Sequence, residues 1–518
     1  MVDRLWFLIP EFILLAGAMV CALGGISNIA AIRRRVGFIA SIFLVIAFVS
    51  VPYVYGQSDR VHEEAMLPVL GYYVKMMVAF VGLLLIATMG GLIDRGYERD
   101  IGAGKDRFDA LRASSGEFHA LLLLSLTGVM LICEARDLIW LFLALELVSL
   151  PTYVMVAMSR WSRTAQEAAM KYFFLGALSA ALMLYGFALL YASAGTLVLQ
   201  EMTDIFALQQ LSGGLSTLAQ IGMLLAIFGL LYKIAAAPMH LYAPDVYQGA
   251  ASAVTAFLAF VPKTAGIIAL IILLSTFGWE DGLPASIEMA LWVVAVLTMI
   301  LGNIGALLQR SAKRMLGYSS IAHSGYMLIG VIAGPVLGLQ AVLVYLFIYG
   351  VTNTAAFATL ASLSRAEKSI DSLEDLAGLY KTSPLAAASM SVACGSLLGV
   401  PPLIGFWGKL LLFAAGIAAG QLSLIIVAAV TSAISAWYYL RLIGLALLSS
   451  PQNHGDLTKV TKVTLRWPLA VAVIGACIAI GGPVILEKMM ENAKGALQIE
   501  EVEVVTPSVS PERVDERV

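Results

Sequence analysis

The chain has 518 residues, of which 60% are hydrophobic and 13% are charged, and its mean hydropathy is +0.89. Soluble globular domains carry about 25% charged residues, so this composition excludes an ordinary soluble protein. The formal net charge is −2, and no basic patch with interleaved aromatic residues occurs, so a nucleic-acid partner is not expected.

Apolar windows of about 20 residues follow one another along almost the whole chain, and each is long enough to cross a membrane as a helix. Because no water is available there to pair with backbone groups, helices are the structure expected of these windows. The sequence therefore predicts an all-α polytopic membrane protein with about fourteen transmembrane helices. In chain order they lie near residues 6–24, 36–55, 70–93, 117–133, 137–158, 169–194, 216–240, 251–278, 285–309, 317–334, 337–363, 384–418, 421–448 and 466–486.

Positive charges are concentrated in alternate loops between these predicted spans. If the N-terminus is outside, the inward loops hold most of the lysines and arginines, and the outward loops hold little beyond Arg60 and Arg136. Since cytoplasmic loops carry an excess of Lys and Arg, the sequence predicts that both termini lie outside.

The seventh and twelfth predicted spans contain helix-breaking residues. Pro238 follows Lys233 in the seventh span, and Pro401 and Pro402 lie within the segment 384–417, which is too long for one straight crossing. Both spans are predicted to be interrupted helices, and they cross the membrane in opposite directions because five helices separate them. Such pairs are typical of inverted repeats with an ion path at their interface, although two proline-containing spans can also occur by chance.

The predicted spans and the tail group into five predicted parts of the chain. Helices 4–8 and 9–13 form two inverted five-helix repeats, with the interrupted helices 7 and 12 at equivalent positions. The parts are the N-terminal helices 1–3 (1–116), the first repeat (117–280), the second repeat (281–448), helix 14 (449–490) and a polar tail (491–518).

Four charged residues lie well inside predicted spans. They are Glu146 in the fifth, Lys233 in the seventh, Lys263 in the eighth and Lys409 after the break in the twelfth. A charge at the centre of a span costs roughly 2.5–3.5 kcal/mol on insertion scales, so each of these residues needs a reason to be there.

Four further residues are weaker candidates. Lys75 and Lys171 lie nearer to span ends, where a lysine commonly extends along the helix to reach the interface, and this is the expected behaviour of Lys75. His323 lies in SSIAHSGYM, among hydroxyl groups that could hold a water chain, and histidine titrates near neutral pH. His240 lies at the inner mouth of its span, where ordering of a loop would serve equally well.

The buried charges predict a proton relay. Removal from water favours the neutral form of a lysine, whereas a nearby carboxylate favours its charged form. Movement of Glu146 relative to Lys233 would therefore release or take up a proton, and Lys263 and Lys409 would pass it on through buried water. A static ion pair that only fixes helix packing is the alternative.

No motif for a cofactor or a metal site occurs in the sequence. There is no GxGxxG after a strand, no Walker pattern and no HExxH. Neither an iron–sulfur nor a zinc site is expected, since the four cysteines lie far apart and none forms a CxxC pair. The chain is therefore not expected to carry redox chemistry itself.

Six segments together resemble the antiporter-like subunits of respiratory complex I. They follow the family's order, cover about Asp137 to Ile443, and are most similar to the N-type subunits of bacterial NADH:quinone oxidoreductase. The segments are Asp137–Tyr153 (DLIWLFLALELVSLPTY), Glu167–Gly186 (EAAMKYFFLGALSAALMLYG), Lys233–Lys263 (KIAAAPMHLYAPDVYQGAASAVTAFLAFVPK), Lys313–Gly330 (KRMLGYSSIAHSGYMLIG), Gly399–Phe413 (GVPPLIGFWGKLLLF) and Ser432–Ile443 (SAISAWYYLRLI).

The resemblance implies a proton-translocating subunit in the bacterial inner (plasma) membrane, driven by electron transfer in other subunits. It implies that Glu146 and Lys233 form the family's Glu–Lys pair, that Lys263 and Lys409 are its central and terminal lysines, and that Lys171 is a further lysine of the path. Flavin mononucleotide (FMN), iron–sulfur clusters and quinone are expected in partner subunits. The expected partners are other antiporter-like subunits, the small K-, J- and A-type subunits, and the lipid bilayer.

Several alternatives stay open at this point. M-type subunits tend to carry glutamate at the position of Lys409, and L-type subunits continue into a long lateral helix, so both are disfavoured. A component of a cation/proton antiporter remains possible, as does the equivalent subunit of a sister complex fed by ferredoxin, deazaflavin or hydrogen. A purely structural membrane subunit is the fourth alternative.

Overall fold

The computed structural model describes residues 2–56, 67, 70–89, 94–109, 112–160, 162–279, 282–365, 368–450, 462–463, 466–482 and 484. Within this part the chain is almost entirely helical, as predicted. The helices are α1 (Val2–Phe7), α2 (Ile9–Gly25), α3 (Ala30–Arg33), α4 (Val36–Gly56), α5 (Leu70–Met89), α6 (Arg95–Gly102), α7 (Ser115–Ile132), α8 (Leu138–Met158), α9 (Arg163–Ala194), α10 (Leu199–Leu211), α11 (Thr217–Lys233), α12 (Ala243–Gly249), α13 (Ser252–Ser275), α14 (Ala285–Leu307), α15 (Ala312–Ile332), α16 (Leu337–Ser362), α17 (Leu379–Thr382), α18 (Pro384–Leu398), α19 (Ile404–Ala418), α20 (Leu422–Leu447) and α21 (Arg466–Ile480). The predicted polar tail 491–518 lies outside the described residues.

A small antiparallel sheet, which the sequence did not predict, joins two loops. Its strands are β1 (Leu363–Arg365), β2 (Lys368–Ser369) and β3 (Lys462–Val463), in the order β2-β1-β3. β1 pairs with β2 in the loop that follows α16, and with β3 just before α21. The sheet therefore ties the last helix to the loop after α16. A 3-10 turn (Leu373–Leu376) follows β2 in the chain.

Nine helices in the described part of the chain are long and apolar enough to cross a membrane. Five shorter apolar helices accompany them: Ile9–Gly25, Thr217–Lys233, Pro384–Leu398, Ile404–Ala418 and Arg466–Ile480. The membrane-spanning character is thereby confirmed, while the number fourteen stays a prediction.

The predicted interruptions of the seventh and twelfth spans are confirmed. α11 ends at Lys233, well before the predicted residue 240, because Ala235 adopts a positive φ of 53° and Pro238 lacks a backbone donor. α18 ends at Leu398 because the next residue, Gly399, has a φ of 90°, the left-handed conformation that glycine adopts freely, and α19 begins at Ile404.

Three central helices are almost completely enclosed by the others. The most apolar 18-residue stretch of α13 is completely buried, and that of α16 is 94% buried. α15 packs against α14, α16 and α19. The N-terminal helices α2, α4, α5 and α7 pack against one another, and α5 also contacts α13 and α16. The fold therefore places the side chains of α13, α15 and α16 away from lipid.

Candidate functional site

An ion pair joins Glu146 of α8 to Lys233 at the last residue of α11. The two atoms Lys233 Nζ and Glu146 Oε1 lie 3.0 Å apart, and Lys233 also donates a hydrogen bond to Ser149 Oγ. Asp137 fixes the start of α8, since its side chain accepts a hydrogen bond of 2.7 Å from the backbone N–H of Trp140. The Lys233 side chain is 3% exposed and that of Glu146 is 18% exposed, so the lysine is the more deeply enclosed partner.

Lys263, in the middle of α13, has polar but uncharged partners. Its Nζ donates to the backbone carbonyl of Ser320 and, at 2.8 Å, to Ser320 Oγ, and it lies 4.7 Å from the centre of the Tyr349 ring. The hydroxyl of Tyr349 donates to the same Ser320 Oγ at 2.7 Å, and Tyr247 OH lies 3.2 Å from it. Among the described residues, no acidic side chain pairs with Lys263.

His323 lies one turn further along α15 and bridges two tyrosines. Its Nδ1 is 2.6 Å from Tyr345 OH and its Nε2 is 3.1 Å from Tyr439 OH. Tyr439 OH in turn shares a hydrogen bond with Ser319 Oγ. Both ring nitrogens therefore belong to a buried network of hydroxyl groups, and the hydroxyls that contact His323 come from other helices and not from its own segment SSIAHSGYM.

Lys409, early in α19, turns back towards the break that precedes it. Its Nζ donates to the carbonyl of Leu398, left free by the end of α18, at 2.8 Å and to Ser432 Oγ at 3.0 Å. It also lies 5.0 Å from the centre of the Tyr326 ring, a position that stabilises a cation through the π electrons. In the described part of the chain, no carboxylate pairs with Lys409.

The five predicted relay residues Glu146, Lys233, Lys263, His323 and Lys409 follow one another through the bundle, and we call this set the central line. The hydroxyl of Ser324 on α15 donates to the carbonyl of Ile234, next to Lys233, and lies 3.4 Å from the carbonyl of Ser320, which binds Lys263. At the far end, the rings of His323 and Tyr326 are 5.8 Å apart, and Lys409 lies over Tyr326.

α15 supplies several of these contacts from one face. Ser320, His323 and Ser324 are spaced by three and four residues, so they point in similar directions from the helix. Gly266 allows α13 to approach on the other side, since a Cβ atom there would lie 2.9 Å from Lys233 Cβ and 2.6 Å from Ile234 Cγ2. A larger residue at Gly266 would push Lys233 away from the central line.

Lys171 is the predicted relay residue that does not join the central line. Its side chain is 45% exposed and pairs with Glu167 at 2.7 Å and with Asp245 of α12 at 2.8 Å. Asp245 also pairs with Arg314 at 2.7 Å. Burial acts to raise the pKa of Asp245, but Lys171 and Arg314 outweigh it and hold that pKa below its usual range. The four residues form a charged cluster at one end of the bundle.

The expectation that Lys75 extends to the membrane surface is wrong. Its side chain is fully buried and pairs with Glu11 and Glu134, two residues that the sequence analysis did not select. Only their apolar surroundings could have drawn attention to these glutamates, and both lie at span edges where an acidic residue is unremarkable. His240 is also buried, and its Nδ1 makes no hydrogen bond within the described residues.

No metal centre is formed by the residues that the structure describes, since none of their His, Cys, Asp and Glu side chains gather in groups of three or more that could hold an ion. Cys21, Cys133 and Cys394 are buried as free thiols. The polar chemistry of the central line therefore consists of amines, one carboxylate, one imidazole and hydroxyl groups.

Comparison with known proteins identifies one matching family and similar subunits of the same kind of complex. The family described as NADH:quinone oxidoreductase/Mrp antiporter, TM, matches residues 135–435. The chain is 38% identical over 386 residues to NADH-quinone oxidoreductase subunit N of Paramagnetospirillum magneticum, which covers 74% of this chain and 77% of that protein. It is 34% identical over 476 residues to NADH-quinone oxidoreductase subunit N 1 of Rhizobium meliloti, which covers 92% of this chain and 94% of that protein.

A solved structure is similar over nearly the whole chain. A chain of the respiratory complex I from Thermus thermophilus with bound aureothin superimposes with a TM-score of 0.74 and 31% sequence identity, covering 93% of this chain and 99% of that chain. The matched family region 135–435 contains every residue of the central line as well as Lys171, whereas Glu11, Lys75 and Glu134 lie outside it.

Proposed function

This chain belongs to the NADH:quinone oxidoreductase/Mrp antiporter family, as an N-type membrane subunit of NADH:quinone oxidoreductase, and we propose that its protons travel along the central line. Its function is proton translocation coupled to electron transfer, and other membrane subunits are its partners. In this proposal Glu146 and Lys233 act as the switch, and Lys263, His323 and Lys409 carry the proton onward.

The observation that supports these roles is the unequal pairing of three buried lysines. Lys233 faces a carboxylate, whereas Lys263 and Lys409 have only hydroxyl, carbonyl and aromatic partners among the described residues. A carboxylate favours the charged lysine and burial opposes it, so the proton is held most firmly at Lys233. Separation of Glu146 from Lys233 would release that proton towards Lys263. A proton on Lys263 is held less firmly, because the partners of Lys263 are uncharged.

The location of each end in the cell is part of the same proposal. The charged cluster of Lys171, Asp245 and Arg314 would face the cytoplasm and supply protons, in accordance with the excess of positive charge in the inward loops. Lys171 would then act at the entrance and not within the buried path. Both termini would lie outside the bacterial inner membrane, and the two inverted repeats would comprise 117–280 and 281–448.

We further propose which groups the partner subunits contribute. FMN, the iron–sulfur clusters and quinone would be bound there, and the neighbours of this chain would include other antiporter-like subunits and the small K-, J- and A-type subunits. A tagged form of the chain, extracted gently, should therefore bring with it a complex that oxidises NADH. A preparation without flavin or iron would instead support the antiporter alternative.

The same complex, reconstituted into liposomes, tests the switch. We expect Glu146→Gln and Lys233→Met each to lower the number of protons pumped per NADH oxidised, because either change removes the pair that holds and releases the proton. Loss of one partner of a buried ion pair costs about 3–5 kcal/mol, so the amount of assembled complex must be measured as well.

Two further variants separate pumping from assembly. Lys381→Met removes a lysine from an exposed position and should leave pumping unchanged. The double variant Glu146→Gln with Lys233→Met leaves no unpaired charge, so it should recover assembly but not pumping. Undiminished proton transfer in both single variants would exclude the proposed switch.

A further inference from the structure

A second buried ionic cluster lies outside the central line, among the N-terminal helices. Lys75 Nζ on α5 lies 2.9 Å from Glu11 Oε1 on α2 and 2.7 Å from Glu134 Oε1, just after α7. It also donates a hydrogen bond of 2.8 Å to the carbonyl of Phe7. The side chains of Lys75, Glu11 and Glu134 are 0%, 1% and 6% exposed, so this cluster is at least as well enclosed as the pair Glu146–Lys233.

The cluster and the central line lie at different depths along the bundle. Glu134 precedes the first turn of α8, and Glu146 lies about 12 Å deeper along that helix at 1.5 Å per residue. Glu11 and Lys75 lie near the starts of α2 and α5, at the same end of the bundle as Glu134. The opposite end of α8 leads to α9 and Lys171, so the two charged regions lie at opposite ends.

The hydrogen bonding within the cluster is incomplete at Glu11. Its Oε1 lies 2.9 Å from Lys75 Nζ as an ion pair, and no group within the described residues donates a hydrogen bond to its Oε2. Glu134 is better supported, because Tyr55 OH donates to its Oε1 at 3.1 Å. A buried ionised carboxylate with one oxygen left unsatisfied is costly, and a bound proton lowers that cost by removing the charge.

The partners of Lys75 show which group would gain the proton. Its ammonium has three donors, and it faces three oxygens: those of Phe7, Glu11 and Glu134. A metal ion does not fit between the two carboxylates, because the ammonium already occupies that space. The lysine is therefore satisfied in its charged form, and Glu11 is the group with an open position.

We propose that Glu11, Lys75 and Glu134 form a second proton-exchange site, in which the Glu11 carboxyl group binds a proton from water and returns it. The other groups that face the site are the phenol of Tyr55 from α4, the thiol of Cys133 from the end of α7 and the carbonyl of Phe7 from α1. The site lies in helices that precede the region matched by the family.

The helix that carries Lys75 connects this site to the rest of the bundle. α5 packs against α13 and α16, which carry Lys263 and Tyr349. Tyr73, two residues before Lys75, donates a hydrogen bond of 3.2 Å to the carbonyl of Leu343 on α16. A change of charge at Glu11, beside Lys75 on α5, therefore acts next to a helix that packs against the helices carrying Lys263 and Tyr349.

Infrared difference spectra of the intact complex between acid and alkaline pH test this site. A carboxylic acid and a carboxylate absorb at different frequencies, so wild type minus Glu11→Gln should show the loss of one titrating carboxylic-acid band. The control Glu117→Gln changes an exposed glutamate at the other end of α7 and should leave that band in place. Glu11→Asp keeps a carboxyl group and should retain the band at a shifted frequency.

Assembly gives an independent reading of the same variants. Glutamine has the shape of a protonated glutamate, so Glu11→Gln should assemble with unchanged thermal stability. An unchanged spectrum would mean that Glu11 stays ionised and that the cluster is a fixed ion pair. Failure of Glu11→Gln to assemble would equally overturn the proposal. Neither result depends on proton movement along the central line.

Discussion

Lys263 relies on Ser320 more than on any other side chain. Its Nζ binds both the carbonyl and the hydroxyl of Ser320, and the same hydroxyl receives a hydrogen bond from Tyr349. The serine therefore connects the lysine to the aromatic hydroxyl groups near His323. This hydroxyl is the nearest side-chain acceptor to the Lys263 amine.

We therefore expect Ser320→Ala to slow proton pumping without loss of assembly. A hydrogen bond to a charged group contributes about 1.5–3 kcal/mol, and since each 1.36 kcal/mol is a factor of ten in rate, the expected slowing is about 10- to 100-fold. NADH-driven pumping in liposomes measures it. Ser391→Ala is a matched control, because Ser391 Oγ only donates to the Ala387 carbonyl of its own helix. Equal pumping by the two variants would contradict a role for Ser320.

The charged residues and the pair Glu146–Lys233 could be selected from the sequence, but the partners of Lys75, Lys263 and Lys409 could not. Glu146, Lys233, Lys263 and Lys409 are conspicuous because a charge inside an apolar window is rare. Lys75 and Lys171 occupy similar positions near span ends, yet Lys75 is fully buried and Lys171 is 45% exposed. Both lysines pair with carboxylates, but Glu11 and Glu134 are themselves buried whereas the partners of Lys171 are not, and this difference leaves no local sequence signal.

At the scale of helices, the break between α18 and α19 requires a very close approach of two backbones. A Cβ atom at Gly405 would overlap the carbonyl oxygen of Ser396, whose hydroxyl accepts a hydrogen bond of 3.2 Å from the Gly405 N–H. This contact positions the first turn of α19, and with it Lys409.

Gly405→Ala should therefore lower the thermal stability and the amount of the assembled complex. Gly444→Ala on α20 is the matched control, since a Cβ atom there would meet nothing within 4 Å. Because alanine favours a helix over glycine by roughly 0.5–1 kcal/mol, that control should be neutral or slightly stabilising. Melting of the purified complex compares them, and equal stability would show that the break tolerates a side chain.

Most helix bounds followed from hydropathy, and the exceptions have local causes. α8 was predicted to begin at residue 137 and begins at Leu138, because Asp137 caps it. α9 begins at Arg163, earlier than the predicted 169, because Ser162 caps a polar first turn that carries no hydropathy signal. The short α10 and the small sheet were missed, since they contain no apolar window long enough to cross a membrane.

At the scale of the whole molecule, the central line runs through both halves of the bundle. Lys233 lies at the break in the first half and Lys409 at the break in the second, and α15 joins them. The proposed proton path would therefore be a single series in which each member is required, and not two independent channels.

Lys233→Met and Lys409→Met should consequently cause the same loss of pumped protons per NADH oxidised, and the double variant should lose no more than either single variant. Two parallel channels would instead give partial losses that add in the double variant. Proton release measured against NADH oxidation in liposomes, at matched amounts of assembled complex, distinguishes the two arrangements.

The hydrogen bond from Ser324 to the carbonyl of Ile234 links α15 to the end of α11, where the proposed switch lies. Ile234 is the residue that follows Lys233. In the proposed switch, a backbone shift that moves Lys233 away from Glu146 would therefore also displace Ser324. Ser324 belongs to the same rigid helix as Ser320 and His323. In the proposed relay, a displacement at the break after α11 would therefore reach His323 and, through Ser320, Lys263, so that α15 would couple the two interrupted helices.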